Sequence, residues 1–309
     1  MVSVILSFDV EEHHRIEAAE GLTVSTFLKS DYSRRMEVRT REILARLEDA
    51  NVKATFFVVG EIAREYPELI REIVSAGHEV GSHSWDHRCV HRFDPEAFRD
   101  DLQKSKDALE QASGHPVVGF RAPTFSVMPE TAWAIDILAD CGFVYDSSIF
   151  PVRHDRYGIP TAPRWPFLAE GNKQTILELP PATLRLFGQN VPVAGGGYFR
   201  LFPPAMMRAG IRQLTSNTKP SVGMLYFHPW EFDPDAPRLP LGRVSKWRTY
   251  VGTAKSMARF KRLLAGPYRF RRAVDVAKEL MVSVGKLPRF RVSASQYTPS
   301  SDHSNSYSG

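Results

Sequence analysis

Short apolar runs alternate with amphipathic stretches along most of the chain. Four of the runs have the length of buried strands, at positions 2–8, 54–59, 117–120 and 222–227. Between them, apolar residues recur at helical spacing over 39–50, 68–76 and 95–113. Strands that alternate with helices are typical of parallel βαβ units. The pattern therefore predicts an α/β fold, built as a barrel or as an open sheet.

Prolines and glycines mark where the predicted helices begin and end. Pro67 and Pro95 stand at the first helical position, where the missing N–H is not needed. Gly77 and Gly114 follow the last apolar position of the same two helices. Residues 147–173 have no clear period and are rich in Pro, Arg and aromatic residues, which predicts a long functional loop over the site.

Charge is unevenly distributed along the chain. The net charge of the 309 residues is +5, yet positions 238–291 hold 15 Lys/Arg against 2 Asp/Glu, so the remainder is acidic. A basic amphipathic helix is predicted at 250–264. We predict one catalytic domain over 1–284, basic from about residue 238, and a disordered Ser-rich tail over 285–309.

The basic region bears on partners and location. It fits an anionic membrane surface or a phosphate-bearing glycolipid, although a solvated basic face is the simpler explanation and nucleic acid is less favoured. The first apolar run lacks a basic flank and is too short for a signal sequence or a membrane span. We therefore expect a cytoplasmic protein, with peripheral contact at the inner membrane face through residues 250–264. Its oligomeric state is not predicted.

Polar residues follow several of the predicted strands. They are Asp9, His83, Arg121, Asp146 and His228. Because the carboxyl ends of parallel strands meet at one edge of a sheet, we expect these side chains to gather there. A general acid or base at such an edge would serve hydrolysis, whereas a buried structural histidine is the simpler explanation for His228 alone.

A metal site is the leading hypothesis for the acidic and histidine clusters. His83 and His87 are four residues apart, and Glu11 and Glu12 follow the first strand. Two imidazoles and one carboxylate suit zinc, and an open fourth position makes such a site catalytic. The helical zinc-peptidase motif is disfavoured, since Ser84 replaces its glutamate. The two cysteines of the chain exclude a thiolate cluster.

Five segments, in this order, resemble the polysaccharide deacetylase family of carbohydrate esterases. They are Phe8-Asp9, His83-Ser84-Trp85-Asp86-His87, Arg121-Ala122-Pro123-Thr124-Phe125, Asp146-Ser147-Ser148 and Phe227-His228-Pro229. Stretches around 145–154, 195–200 and 228–231 resemble a subgroup associated with exopolysaccharide loci. The resemblance implies a distorted (β/α) barrel that hydrolyses an N-acetyl group on a sugar to acetate and a free amine.

The resemblance also implies roles for individual residues. Asp9 would be the general base, Arg121 would orient it, His228 would be the general acid and Asp146 would tune His228. His83 and His87 would bind one divalent ion, expected to be zinc. Many members carry a second aspartate where this chain has Val10, so Glu11 becomes the carboxylate ligand through an Asp-x-Asp-like spacing, with Glu12 as the fallback. The residues expected to contact substrate are Phe125, Tyr198 and Trp230.

Two further functions remain open at this point. Some relatives with this fold hydrolyse cyclic amides with an incomplete metal set, and a catalytically silent carbohydrate-binding module would need no metal. Gly195, Gly196 and Gly197 are interpreted as a loop near the sugar, since no Lys-Ser/Thr pair follows them. Trp165, Trp230 and Trp247 are candidates for stacking on sugar rings.

Overall fold

The computed structural model of the protein describes residues 2–216 and 222–293. The strands in these ranges are β1 (Val2–Val10), β2 (Thr55–Val58), β3 (Glu79–Ser82), β4 (Gly119–Phe120), β5 (Tyr145–Asp146), β6 (Phe167–Glu170), β7 (Thr175–Glu178), β8 (Thr183–Leu186), β9 (Gln189–Pro192), β10 (Gly223–Phe227), β11 (Tyr268–Arg271) and β12 (Arg289–Arg291). The helices are α1 (Thr26–Asp49), α2 (Gly60–Glu65), α3 (Pro67–Ser75), α4 (Pro95–Ser113), α5 (Trp133–Asp140), α6 (Gly196–Leu201), α7 (Pro204–Ser216), α8 (Arg243–Tyr250), α9 (Thr253–Leu264) and α10 (Ala273–Met281).

Most strands join one sheet, in the order β10-β1-β2-β3-β4-β5-β7-β6-β12. Neighbours in this order are parallel, except that β6 and β7 are antiparallel. Strand β11 pairs with the first half of β1, and β8 and β9 form a separate hairpin. Each helical crossover returns the chain to the same sheet, which places successive strands side by side. The predicted (β/α) barrel-type fold is confirmed.

Strand β1 connects the two ends of the chain and positions the site. Its register places Phe8 opposite Phe227 of β10 and Phe56 of β2. The next residues along β1 and β10 are Asp9 and His228, so the two side chains leave the sheet at the same edge. Phe8, Phe227 and Phe260 pack with ring centroids 5.6–6.1 Å apart beneath that edge. Full burial of each ring contributes about 2 kcal/mol.

Local capping explains where two of the helices begin. Helix α1 starts at Thr26, well before the predicted residue 39, because the Ser25 hydroxyl accepts a hydrogen bond from the Leu28 amide at 3.3 Å. Helix α4 follows its prediction, with Asp94 capping the Ala97 amide at 2.8 Å. It ends at Gly114, whose φ of +71° favours glycine.

Three sequence predictions in the C-terminal half need correction. The predicted loop 147–173 contains β6, which is held by antiparallel pairing with β7. The predicted tail begins too early, because β12 pairs with β6 and residue 292 is buried; residues 294–309 lie outside the described ranges. The predicted helix 250–264 begins later, as α9 at Thr253, because Gly252 with a φ of +74° separates it from α8.

The apolar side of α9 faces the protein core. Phe260 is fully buried and packs edge-on against Phe8, while Lys255, Lys261 and Arg262 are exposed. This helix therefore offers solvent a basic surface without an apolar face. No helix within the described ranges is both long and apolar enough to cross a membrane.

Candidate active site

Most of the predicted site residues converge on one cleft at the carboxyl edge of the sheet. The cleft has a volume of about 630 Å³. Asp9 and Glu11 reach it from the end of β1, His83 from the end of β3, and His228 from the end of β10. Convergence follows from the parallel register, which brings strand ends together although the residues are far apart in sequence.

Glu11, His83 and His87 form a compact set of potential metal ligands. One ligand atom from each lies within 4.8 Å of the others. Glu11 Oε2 faces His87 Nε2 and lies 3.9 Å from His83 Nε2. This oxygen is buried and has no hydrogen-bond partner among the described residues. A buried carboxylate oxygen facing two imidazole nitrogens fits a divalent ion.

The charge states of this set also fit metal binding. Burial alone would raise the pKa of Glu11, but the neighbouring His87, His228 and His83 outweigh it and hold that pKa well below its ordinary value. Burial lowers the pKa of His83 to about 4, so its imidazole is neutral. His83 Nδ1 bonds the Arg121 carbonyl oxygen at 2.8 Å, which leaves Nε2 directed toward Glu11. Such a second bond fixes the ring orientation of a histidine ligand.

The metal loop, residues 83–87, has an unusual backbone conformation. Ser84 and His87 both have φ of +66°, in the left-handed region that non-glycine residues rarely adopt. Asp101 of α4 accepts hydrogen bonds from the Trp85 amide at 3.0 Å and from the Ser84 hydroxyl at 3.4 Å. Asp101 therefore holds the loop in place. Sequence analysis did not single out this residue, whose only signal is an acidic side chain on the buried face of a helix.

Asp9 is held beside the metal set by a buried arginine. Arg121 Nη1 donates to Asp9 Oδ1 at 2.6 Å and to the Ser7 hydroxyl at 2.9 Å. Nη2 of the same guanidinium donates to the Ser147 hydroxyl at 2.9 Å. The Arg121 side chain is fully buried, so its orientation is fixed by these contacts. Asp9 Oδ2 faces His228 Nε2 at 3.8 Å.

His228 is oriented by a carboxylate that the sequence did not reveal. Its Nδ1 and Glu231 Oε1 are 2.8 Å apart, and Glu231 Oε2 accepts from Arg200 Nε at 2.7 Å. Burial by itself lowers the pKa of His228, but the hydrogen bond to Glu231 and the charges of Glu11, Glu231 and Asp9 outweigh it and raise the pKa to about 9. The imidazole is therefore a proton donor at neutral pH. The spacing of Glu231, three residues after His228 in a short helical turn, is the signal that would have found it.

Asp146 lies in a different environment from the one predicted. It is fully buried, and among the described residues its carboxylate contacts Ser147, Ser148 and Glu178 rather than His228. It does not line the cleft. The position that the sequence assigned to Asp146, next to His228, is occupied by Glu231.

The two glutamates after β1 have separate surroundings. Glu12 pairs with Arg15 and accepts a hydrogen bond from the Ser33 hydroxyl at 3.2 Å, away from the histidines. Glu12, the fallback ligand, is therefore not part of this ligand set, whereas Glu11 is. Glu11 Oε1 accepts a hydrogen bond from Trp230 Nε1 at 3.0 Å. Trp230, predicted as a substrate contact, thus also fixes the carboxylate of the metal set.

The other predicted substrate contacts line the cleft. Phe125 has a φ of +52°, is buried, and its ring centroid lies 4.9 Å from that of Tyr226. Tyr198 follows the glycine run on α6 and is partly exposed. Gly195 leaves no room for a side chain, because a Cβ there would lie 1.6 Å from the Tyr226 carbonyl oxygen. Gly195 thus allows close backbone packing against β10, whereas Gly196 and Gly197 line the cleft.

Two family profiles match consecutive parts of the chain. The polysaccharide deacetylase profile matches residues 21–145, and a domain of unknown function, DUF3473, matches residues 147–278. The first match contains His83, His87 and Arg121, whereas His228 falls in the second. The cleft is therefore built from both matched regions and from β1.

Relatives named as deacetylases match part of the chain. A peptidoglycan-N-acetylglucosamine deacetylase of Bacillus cereus is 30% identical over 98 residues, which cover 31% of this chain and 36% of that protein. A chitooligosaccharide deacetylase of a Bradyrhizobium species is 33% identical over 100 residues, covering 32% of this chain and 43% of that protein. The matches thus span less than half the length of either relative.

Solved structures show the same fold over almost the whole chain. A Mycobacterium smegmatis protein described as a polysaccharide deacetylase has a TM-score of 0.58 at 22% identity, covering 93% of this chain and 92% of the other. PuuE allantoinase has the same TM-score at 17% identity, covering 91% and 90%. At these identities the likeness concerns the fold alone. Residues 21–145 of the chain thus match the polysaccharide deacetylase family, and residues 147–278 match DUF3473.

Proposed function

We propose that this protein is a metal-dependent hydrolase that removes N-acetyl groups from an amino-sugar-containing polysaccharide or oligosaccharide. The observation that carries the proposal is the convergence of Glu11, His83 and His87 with Asp9 and His228 in one cleft. The deacetylase domain and the names of the two relatives support N-acetylated sugar polymers as the substrate class.

Zinc is the metal we propose for this site. Glu11, His83 and His87 would hold it, since two neutral imidazoles and a carboxylate are a common zinc set, and cobalt or another divalent ion could substitute. When bound, the ion supplies Lewis acidity toward an acyl carbonyl and toward water.

The remaining side chains divide the proton transfers between them. Arg121 holds Asp9 by one oxygen, so the other oxygen is free to take a proton from the attacking water. His228 Nε2 faces the same space and carries the proton that the departing amine nitrogen requires. The products are acetate and a free amino sugar.

We also propose a cellular setting for this reaction. The resemblance to members from exopolysaccharide loci supports a role in exopolysaccharide biosynthesis, and the exposed basic residues of α9 support peripheral contact with an anionic membrane or glycolipid on the cytoplasmic side. Co-sedimentation with anionic vesicles at low salt tests the contact, and its absence would refute that part of the proposal.

The decisive experiment measures acetate released from N-acetylglucosamine oligomers with added zinc and after chelation. We expect release only with metal, and a loss of about 10²–10⁴-fold in the Asp9→Asn variant with bound zinc retained. Asp155→Asn is the matched control, because this exposed carboxylate lines the same cleft away from the ligand set. Hydrolysis of a cyclic amide without metal would instead favour the alternative enzyme, and oligosaccharide binding without turnover would favour the silent module.

A further inference from the structure

The DUF3473 region contributes one aromatic side of the cleft. Tyr157, Tyr198 and Trp247 belong to this region and line the cleft. We call these three residues the aromatic wall. Trp247 differs from the other two because 55% of its surface is exposed. Because Trp247 also lines the cleft, a ligand bound there can cover part of its indole ring.

The helix that carries Trp247 is anchored at its end by a buried side chain. Arg200 Nη1 donates to the carbonyl oxygens of Thr249 at 2.6 Å and Val251 at 3.0 Å, at the end of α8. The same guanidinium binds Glu231, which orients His228. One buried arginine therefore binds both the end of the helix that carries Trp247 and the carboxylate beside His228.

Tyr250, the last residue of α8, makes two further contacts that anchor this helix. The Tyr250 hydroxyl accepts a hydrogen bond from the Leu239 amide at 2.7 Å and lies 2.9 Å from His13 Nε2. The His13 ring packs 4.8 Å from the ring of Trp230, whose indole binds Glu11. Helix α8 is thus anchored to both halves of the site, as a pre-organised binding surface requires.

We propose that Trp247 stacks against a sugar ring at least two positions along the chain from the one that loses its acetyl group, so that turnover favours oligosaccharides longer than a dimer. This inference rests on the proposed deacetylase function and names the substrate length that the cleft selects. A sugar ring offers an apolar C–H face, and an indole is a large, flat surface suited to it. Because Trp247 and the metal set line the same cleft, the ligand expected to cover the indole is the substrate.

The same helix supplies a matched control. Val244, one turn before Trp247, is 65% exposed but does not line the cleft. A membrane or protein partner that covered the outer side of α8 would use Val244 as well as Trp247. A sugar in the cleft would use Trp247 alone.

The test compares N-acetylglucosamine oligomers of two and five residues with the zinc-loaded enzyme. Covering about 50 Å² of indole changes affinity roughly tenfold, so Trp247→Ala is expected to raise KM for the pentamer about tenfold and to leave that for the dimer unchanged. Trp247→Phe should restore most of the difference, and Val244→Ala should behave as the wild type.

Several outcomes would overturn the proposal. One is that Trp247→Ala raises KM equally for the dimer and the pentamer. Another is that the wild type has the same KM for both oligomers. A third is that Trp247→Ala and Val244→Ala lose binding to anionic vesicles equally. Calorimetric titration of the same oligomers separates this idea from the proposed reaction. If the wild type binds the pentamer more tightly than Trp247→Ala does but releases no acetate, deacetylation is refuted and the stacking site is supported.

Discussion

Replacing Glu231 by glutamine tests the assignment of the proton donor. The substitution keeps the shape of the side chain but removes the charge that His228 Nδ1 faces at 2.8 Å. It also leaves the Arg200 guanidinium without its buried ionic partner, 2.7 Å away. The ligand atoms of the metal set belong to Glu11, His83 and His87, so metal content is expected to stay the same.

The size of the effect follows from these contacts. A hydrogen bond to a charged group contributes about 1.5–3 kcal/mol, which corresponds to a fall of roughly 10–10² in kcat when it holds the donor in place. KM should change little, because Glu231 lies behind the imidazole. Removing one partner of a buried ion pair costs about 3–5 kcal/mol of folding stability, although the Thr249 and Val251 carbonyls still bind Arg200.

The assay is a double-mutant cycle on acetate release at a temperature where circular dichroism shows every variant folded. If Glu231 acts through His228, the variant that combines Glu231→Gln with His228→Ala has the same kcat as His228→Ala alone. An unchanged kcat in Glu231→Gln, or a further tenfold loss in the combined variant, would refute the role of Glu231 as a positioning residue.

The remaining predictions concern the loop, the buried acids and the glycine run. Asp101→Ala removes the support of the metal loop and should weaken zinc binding about 10–100-fold by competition with a chelating dye, whereas the exposed Asp100→Ala should not. Burial raises the pKa of Asp146 to about 6 and that of Glu178 well above its ordinary value. The folded state therefore binds the protons of these two carboxyl groups more tightly than the unfolded state does. Their contribution to the free energy of unfolding is complete below pH ~4 and is lost as the pH rises through 6 and beyond. Glu178→Gln should flatten that decline in urea midpoints measured from pH 4 to 8, and parallel profiles would contradict this. Gly195→Ala places a Cβ against a β10 carbonyl and should lower the melting temperature and activity together; a fully active, equally stable variant would show that the backbone can move.

Local patterns predicted several elements in the first half of the fold. Strands β1 and β2 and helices α3 and α4 begin and end within about two residues of their predictions, because apolar periodicity, Pro and Gly act within a few residues. Strands β6 and β12 were missed, since each is short and is stabilised by pairing with a distant segment. Sequence spacing carries no information on such pairing.

The sequence by itself determined the chemistry available to this protein. It supplies an acidic cluster after the first strand, two histidines four residues apart, Arg121 and His228, in an order that resembles one family. Only the tertiary structure decided which of these groups meet. It placed Glu11 beside the imidazoles, directed Glu12 to Arg15, and gave His228 the carboxylate of Glu231. The reason is physical, because residue types and spacing fix local geometry, whereas contacts between strand ends depend on the register and packing of the whole sheet.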